Sequence, residues 1–107
     1  MMNIEAAKEV EKLIKNSRMS IIYFTGNACR VCEVIKEKLE NLLKSFPEIS
    51  FIEISGEKNV ELAIKYDIFT LPIMLLFIDS KEFLRVGRNV DLLDLECRIK
   101  RYYDMIF

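Results

Sequence analysis

The chain has 107 residues, enough for one domain, spanning 1–107, with a core that folds without disulfide staples. Its 51% apolar and 31% charged residues fit a globular protein, and 16 basic against 17 acidic residues, with no block of one sign, point away from nucleic acid and anionic membranes. Histidine is absent, which removes the commonest metal ligand and the usual general base at neutral pH.

The first segment, Asn3 to Lys15, places Ile4, Ala7, Val10, Leu13 and Ile14 at three- and four-residue spacing and reads as an amphipathic helix. Its charges leave no apolar core for a signal peptide, and no later apolar run nears the roughly 20 residues needed to span a bilayer. "MSIIYFT", Met19 to Thr25, is continuous, β-branched and aromatic, as in a strand buried on both faces. After the turn residues Gly26 and Asn27 comes the clearest helix. Val31, Val34, Ile35, Leu39, Leu42, Leu43 and Phe46 make one apolar stripe that Pro47 ends.

Ile49 to Ser55 reads as a second strand and Glu57 to Tyr66 as a short helix through Val60, Ala63 and Ile64. Ile73 to Asp79 is a third strand and Glu82 to Gly87 a fourth, joined by a hairpin. Asn89 is the expected cap of a last helix through Leu92, Leu95, Ile99 and Tyr102. The order α-β-α-β-α-β-β-α predicts a mixed four-stranded sheet in a three-layer α/β/α sandwich. Its early strands are expected to run parallel, with an antiparallel edge from the hairpin.

Cys29 and Cys32 stand where the first strand gives way to the long helix. Three residues of helix separate them by about 60° around and about 4.5 Å along the axis, within the Cα range of a disulfide. Cys29 at the positive end of the helix dipole, beside Arg30, has the setting that favours a thiolate, while Cys32 falls toward the apolar stripe. That suggests an attacking Cys29 and a resolving Cys32. Two other readings stand beside it: a pair of inert thiols, or half of a metal site completed by a second copy, since a structural zinc needs four ligands. An odd count of three cysteines without an export signal fits the reducing cytosol. Cys97 is expected to be a half-buried structural thiol.

Forty residues beyond Cys32, "YDIFTLPIMLLF" sets Pro72 just before an apolar strand, and "RVGR" follows from Arg85 to Arg88. With "ACRVC", these motifs resemble the thioredoxin family from about Met19 to Tyr103. The resemblance implies a thioredoxin-like fold and a thiol–disulfide oxidoreductase needing no bound cofactor and no metal. Its partners would be a protein or small-thiol disulfide substrate and a thioredoxin-reductase-like donor. It implies a cis peptide before Pro72, a Leu71 backbone that pairs with an extended substrate, and a low groove wall at Gly87. Ala28 and Val31 would line that groove. Four positions depart from the family pattern: Ala28 replaces a tryptophan, Arg30-Val31 replaces Gly-Pro, and Tyr23 stands where a buried acid assists the second thiol. Arg30 favours the reduced thiolate and therefore predicts a more oxidising pair. A monomeric cytoplasmic enzyme is the expectation, with a binding or adaptor module of little turnover as the alternative.

Overall fold

The computed structural model describes residues 4–107. Asn3, the expected start of the first helix, lies outside the described residues. The elements are α1 (Ile4–Asn16), β1 (Met19–Thr25), α2 (Arg30–Leu43), β2 (Ser50–Ser55), α3 (Val60–Lys65), β3 (Ile73–Ile78), β4 (Lys81–Val86) and α4 (Leu92–Ile106). The expected order is therefore present.

One four-stranded sheet runs β2-β1-β3-β4. β1 and β2 are parallel, with Tyr23 opposite Glu53, whereas β3 is antiparallel to both β1 and β4. The expectation of successive parallel strands thus holds for one pair only. The segment through α3 carries the chain to the far side of β1 and returns it in the opposite sense. Asp79 and Ser80 close the β3–β4 hairpin with φ of 49° and 69°, the paired positive values of a type I′ turn.

Alternation along the two central strands divides the core. Met19, Ile21 and Tyr23 of β1 and Met74, Leu76 and Ile78 of β3 face one side, packed with Leu39 and Leu42 of α2 and Leu95 and Ile99 of α4. Ile22, Phe24, Leu75 and Phe77 face the other, against Val10 and Ile14 of α1 and Leu62 and Ala63 of α3. Every residue of β1 is buried, as a strand covered on both faces requires.

Several boundaries differ from the sequence reading. α3 is only Val60–Lys65, and Val60 and Ile64 are exposed while Leu62 and Ala63 carry its packing. Its end is a Schellman turn: Ile68 N–H donates to the Ala63 carbonyl at 2.8 Å and Asp67 N–H to that of Ile64 at 3.0 Å. Asp91, not Asn89, caps α4, its side chain accepting from the N–H groups of Leu93 and Asp94. α2 stops at Leu43, short of Pro47, through successive turns that leave Phe46 buried. Val31 and Val34, expected on the buried stripe, are 39% and 47% exposed.

Candidate functional site

β1 ends at Thr25, and a short loop delivers Cys29 as the N-cap residue of α2. Cys29 is extended (φ −102°, ψ 101°), and its sulfur accepts the Cys32 backbone N–H at 3.1 Å, satisfying one of the helix's unpaired donors. The two cysteines form a disulfide with their Cα atoms 5.2 Å apart. Cys29 is half-buried and Cys32 only 2% exposed. One sulfur therefore meets solvent and the other meets the core.

Ala28, just before the pair, has φ of 48°, the left-handed region that costs a residue with a Cβ about 1 kcal/mol. Gly26 and Gly56 are closely approached by neighbouring side chains. A Cβ on Gly26 would lie 2.9 Å from a Glu57 carboxylate oxygen, and one on Gly56 3.0 Å from a Leu71 methyl. The Leu71 side chain thus packs onto two glycine backbones, while its main-chain N–H and C=O make no hydrogen bond among the described residues. The Leu71–Pro72 peptide is cis, as the resemblance implies. Pro72 is buried and shares a narrow cleft with Tyr23, Met74 and Gly87. A Cβ on Gly87 would touch Ile73 and the Pro72 carbonyl at an ordinary 3.7 Å, so the packing beneath does not demand glycine there. Gly87 instead forms part of the floor of an open hollow with Thr70 and Arg88.

Tyr23 stands directly under the pair. Its hydroxyl donates to the Cys32 carbonyl at 2.8 Å, and the side chain is 1% exposed. Burial, aided by the Glu53 carboxylate, pushes its phenol up to about 12. It is a neutral donor at physiological pH and fixes the first turn of α2. A carboxylate does stand on the neighbouring strand, β2, beside Tyr23. Glu53, opposite Tyr23, takes the Thr25 hydroxyl at 3.2 Å and the Lys36 ammonium of α2 at 2.8 Å. That hydrogen bond and charge hold the Lys36 ammonium above its ordinary pKa. Sequence reading confined to "IIYFT" misses Glu53. The available signal is an acid inside an otherwise apolar strand, which becomes informative only with the β1–β2 register.

Arg85, quoted above only as part of a motif, has a structural task. Its guanidinium donates to the Tyr66 and Asp67 carbonyls at 2.8 and 3.0 Å while pairing with Glu82. It thereby ties the end of α3, and the segment leading to Leu71 and Pro72, to β4. Arg30 is exposed and has no ion pair among the described residues. Cys97 corrects the expectation of a half-buried thiol. It is exposed, about 200° around α4 from buried Leu95 and Ile99. Among the described residues no three His, Cys, Asp or Glu side chains gather as metal ligands.

The arrangement can accept and return two electrons through a disulfide, with one sulfur reachable and a free backbone edge beside it. Comparison with known proteins agrees. The family model described as Thioredoxin matches residues 2–101. The thioredoxin-like protein YdfQ of Bacillus subtilis strain 168 is 36% identical over 103 residues, which make up 96% of this chain and 92% of that protein. A crystal structure of Fasciola hepatica thioredoxin, 31% identical, superposes with a TM-score of 0.77 over 89% of this chain and 92% of its own. Oxidised mitochondrial thioredoxin 3 of Saccharomyces cerevisiae, 22% identical, shares the fold with a TM-score of 0.78 over 89% of each chain.

Proposed function

The chain belongs to the thioredoxin family and is a thiol–disulfide oxidoreductase, and we propose that Cys29 is its attacking sulfur and Cys32 its resolving one. The observation that carries this assignment is the asymmetry of the pair: Cys29 is half-buried at the helix N-cap, and Cys32 is 2% exposed. The Cys29 thiolate attacks a substrate disulfide, forms a mixed disulfide and expels one substrate thiolate, which takes a proton. Cys32 then loses its proton and attacks the Cys29 sulfur, releasing the second substrate thiol. The dithiol has given two electrons and ends as the Cys29–Cys32 disulfide.

The remaining site residues support this sequence. The helix dipole and Arg30 stabilise the thiolate of reduced Cys29. Leu71 offers a main-chain edge with no partner, on which an extended substrate can pair, and Ala28, Val31, Pro72 and Gly87 border it. Tyr23 holds the Cys32 carbonyl. Members of the family work without a bound cofactor, act on disulfide substrates and are returned to the dithiol by a reductase. We assign this chain a thioredoxin-reductase-like donor, a reducing cytoplasmic setting and a monomeric working state.

Turnover of insulin disulfides with a reductase and its reductant tests the reading. Wild type is expected to turn over, and Cys29→Ser to fall to the uncatalysed background. Cys32→Ser is expected to stall as a mixed disulfide visible by mass. No turnover by wild type would leave a binding module in place of an enzyme.

A further inference from the structure

The groove beside the cysteine pair carries a charge. α2 supplies Arg30, Val31, Val34 and Lys38, and the segment after β4 supplies Arg88 and Val90, around a hollow of about 460 Å³. Two of these, Arg30 and Val31, are the dipeptide between the cysteines. No acidic residue lines the hollow. Arg30, Lys38 and Arg88 make no ion pair among the described residues, whereas Lys36, Arg85, Arg98 and Lys100 each have a carboxylate partner. At 100° per residue, Arg30, Val31, Val34 and Lys38 fall within about 100° of α2, and Glu33, Glu37 and Glu40 fall on the adjoining sector, about 20–80° beyond Arg30. Three cations without an ion pair among the described residues therefore surround a partly apolar floor, with the carboxylates of Glu37, Glu40, Asp91 and Asp94 kept to neighbouring hollows.

We propose that this groove selects disulfide-bonded cysteines in extended polypeptide segments that carry acidic residues beside the cysteine. The proposal rests on the oxidoreductase reading above and names the substrate class of the same site. A carboxylate seated in the hollow meets the positive field of Arg30, Lys38 and Arg88, while Val31 and Val34 receive an apolar neighbour. The chain's net charge of −1 gives no general attraction for acidic peptides, so the preference has to come from the groove itself.

The occupant is a peptide segment because the binding face is longer than a small thiol needs. Beyond Arg88 and Val90 it continues into a second hollow of about 480 Å³ bordered by Thr70, Gly87 and Asn89. The free N–H and C=O of Leu71 give an extended chain a main-chain partner. Asp91 and Asp94 border that second hollow, so the acidic side chain belongs on the α2 side. In the reaction two electrons pass from the Cys29–Cys32 dithiol to the peptide disulfide. One S–S bond breaks in the peptide, one forms in the protein, and the two thiol protons end on the peptide sulfurs.

Three peptides of equal length, each closed by one disulfide and flanked by Asp, Gln or Lys, provide the test. Protein reduced with dithiothreitol and freed of it is mixed with each peptide, and single-turnover rates are read by quenched mass spectrometry. At low salt the Asp peptide is expected to react about tenfold faster than the Lys peptide. Screening at about 0.5 M salt, where the Debye length is only a few ångströms, should shrink that ratio toward unity. Lys38→Gln with Arg88→Gln should remove most of the ratio even at low salt. Equal rates, or a faster Lys peptide, would overturn the substrate class and leave the oxidoreductase reading standing. Oxidised glutathione outpacing the Asp peptide would overturn the peptide assignment in favour of a small carboxylate-bearing disulfide. No reaction with any of the four overturns both readings.

Discussion

Along α2, Val31 and Val34 stand 39% and 47% exposed, whereas Leu39 and Leu42, further along and turned toward the sheet, are 0% and 9% exposed. Both halves present apolar side chains at helical spacing. The sector that holds Leu39 and Leu42 is covered by α4 and the sheet, with Leu95, Ile99 and Met74 in the same cluster, and in the first half it is Cys32 and Ile35 that share this cover. The first half stands at the C-terminal end of β1, where the groove opens, and its valines line that groove beside Arg30 and Lys38. A helical apolar stripe thus serves two ends: core where a partner layer exists, and a contact surface where the chain leaves it bare. The cysteines follow the same division, with Cys29 at the open margin and Cys32 against the core.

The sharpest way to break this comparison is to cut each half. Leu39→Ala removes a fully buried side chain and leaves a cavity between sheet and helix. It is expected to cost about 2–5 kcal/mol of stability, read by chemical denaturation. A loss below about 1 kcal/mol would mean that the second half is no better packed than the first.

Tyr23→Phe probes the joint between the halves, where the phenol holds the Cys32 carbonyl. Below pH 10 the lost hydrogen bond is expected to cost about 1 kcal/mol. The pH dependence has a definite sign. The folded phenol's pKa is raised from 10.0 to about 12, so its stabilising contribution is complete below pH 10 and is lost as pH rises toward 12. The shift corresponds to about 2–3 kcal/mol, so wild type should lose its advantage over Tyr23→Phe between these pH values and fall below it near the top of the window. Parallel denaturation series at pH 9 and pH 12 check this. A constant difference would show that the phenol is not desolvated.

At the open margin, Ala28 holds φ of 48° without being glycine. Ala28→Gly is expected to raise stability by up to about 1 kcal/mol, because relief of the left-handed strain outweighs the added freedom of the unfolded chain. Thermal melting of the oxidised protein measures it. A loss of stability instead would show that the Ala28 methyl is packed rather than strained.

These effects also mark how far the sequence is legible. β1 and β3 are readable because strands buried on both faces must be nearly all apolar, and β1 is buried at every position. Cys29 and Cys32 are readable as a pair because three helical residues bring them within disulfide range, whereas Pro72 and Gly87 stand out only through the family resemblance. Ends and long-range partners are harder. Asn89 and Asp91 both suit an N-cap, and only the path of the chain from Gly87 decides for Asp91. Glu53 is silent until β1 and β2 are paired, since nothing local says that it faces Tyr23 and Lys36. Val31 and Val34 mislead because they lie about 80° and 140° around the helix from Leu39, on a flank that neither the sheet nor α4 covers.

The smallest stability effect is the most discriminating. Val34→Ser changes a side chain that is 47% exposed and lines the groove. If the first half of α2 is a contact surface, the substitution should move stability by no more than about 0.5 kcal/mol. It should also lower kcat/KM toward disulfide peptides several-fold, because an apolar contact made only with substrate is lost. The effect should fall on KM more than on kcat, since Val34 lies two residues beyond Cys32 and touches neither sulfur's bond-making step. Denaturation and steady-state kinetics on one preparation separate the outcomes. A stability loss near that of Leu39→Ala, or unchanged kcat/KM, would erase the distinction between the two halves of the helix.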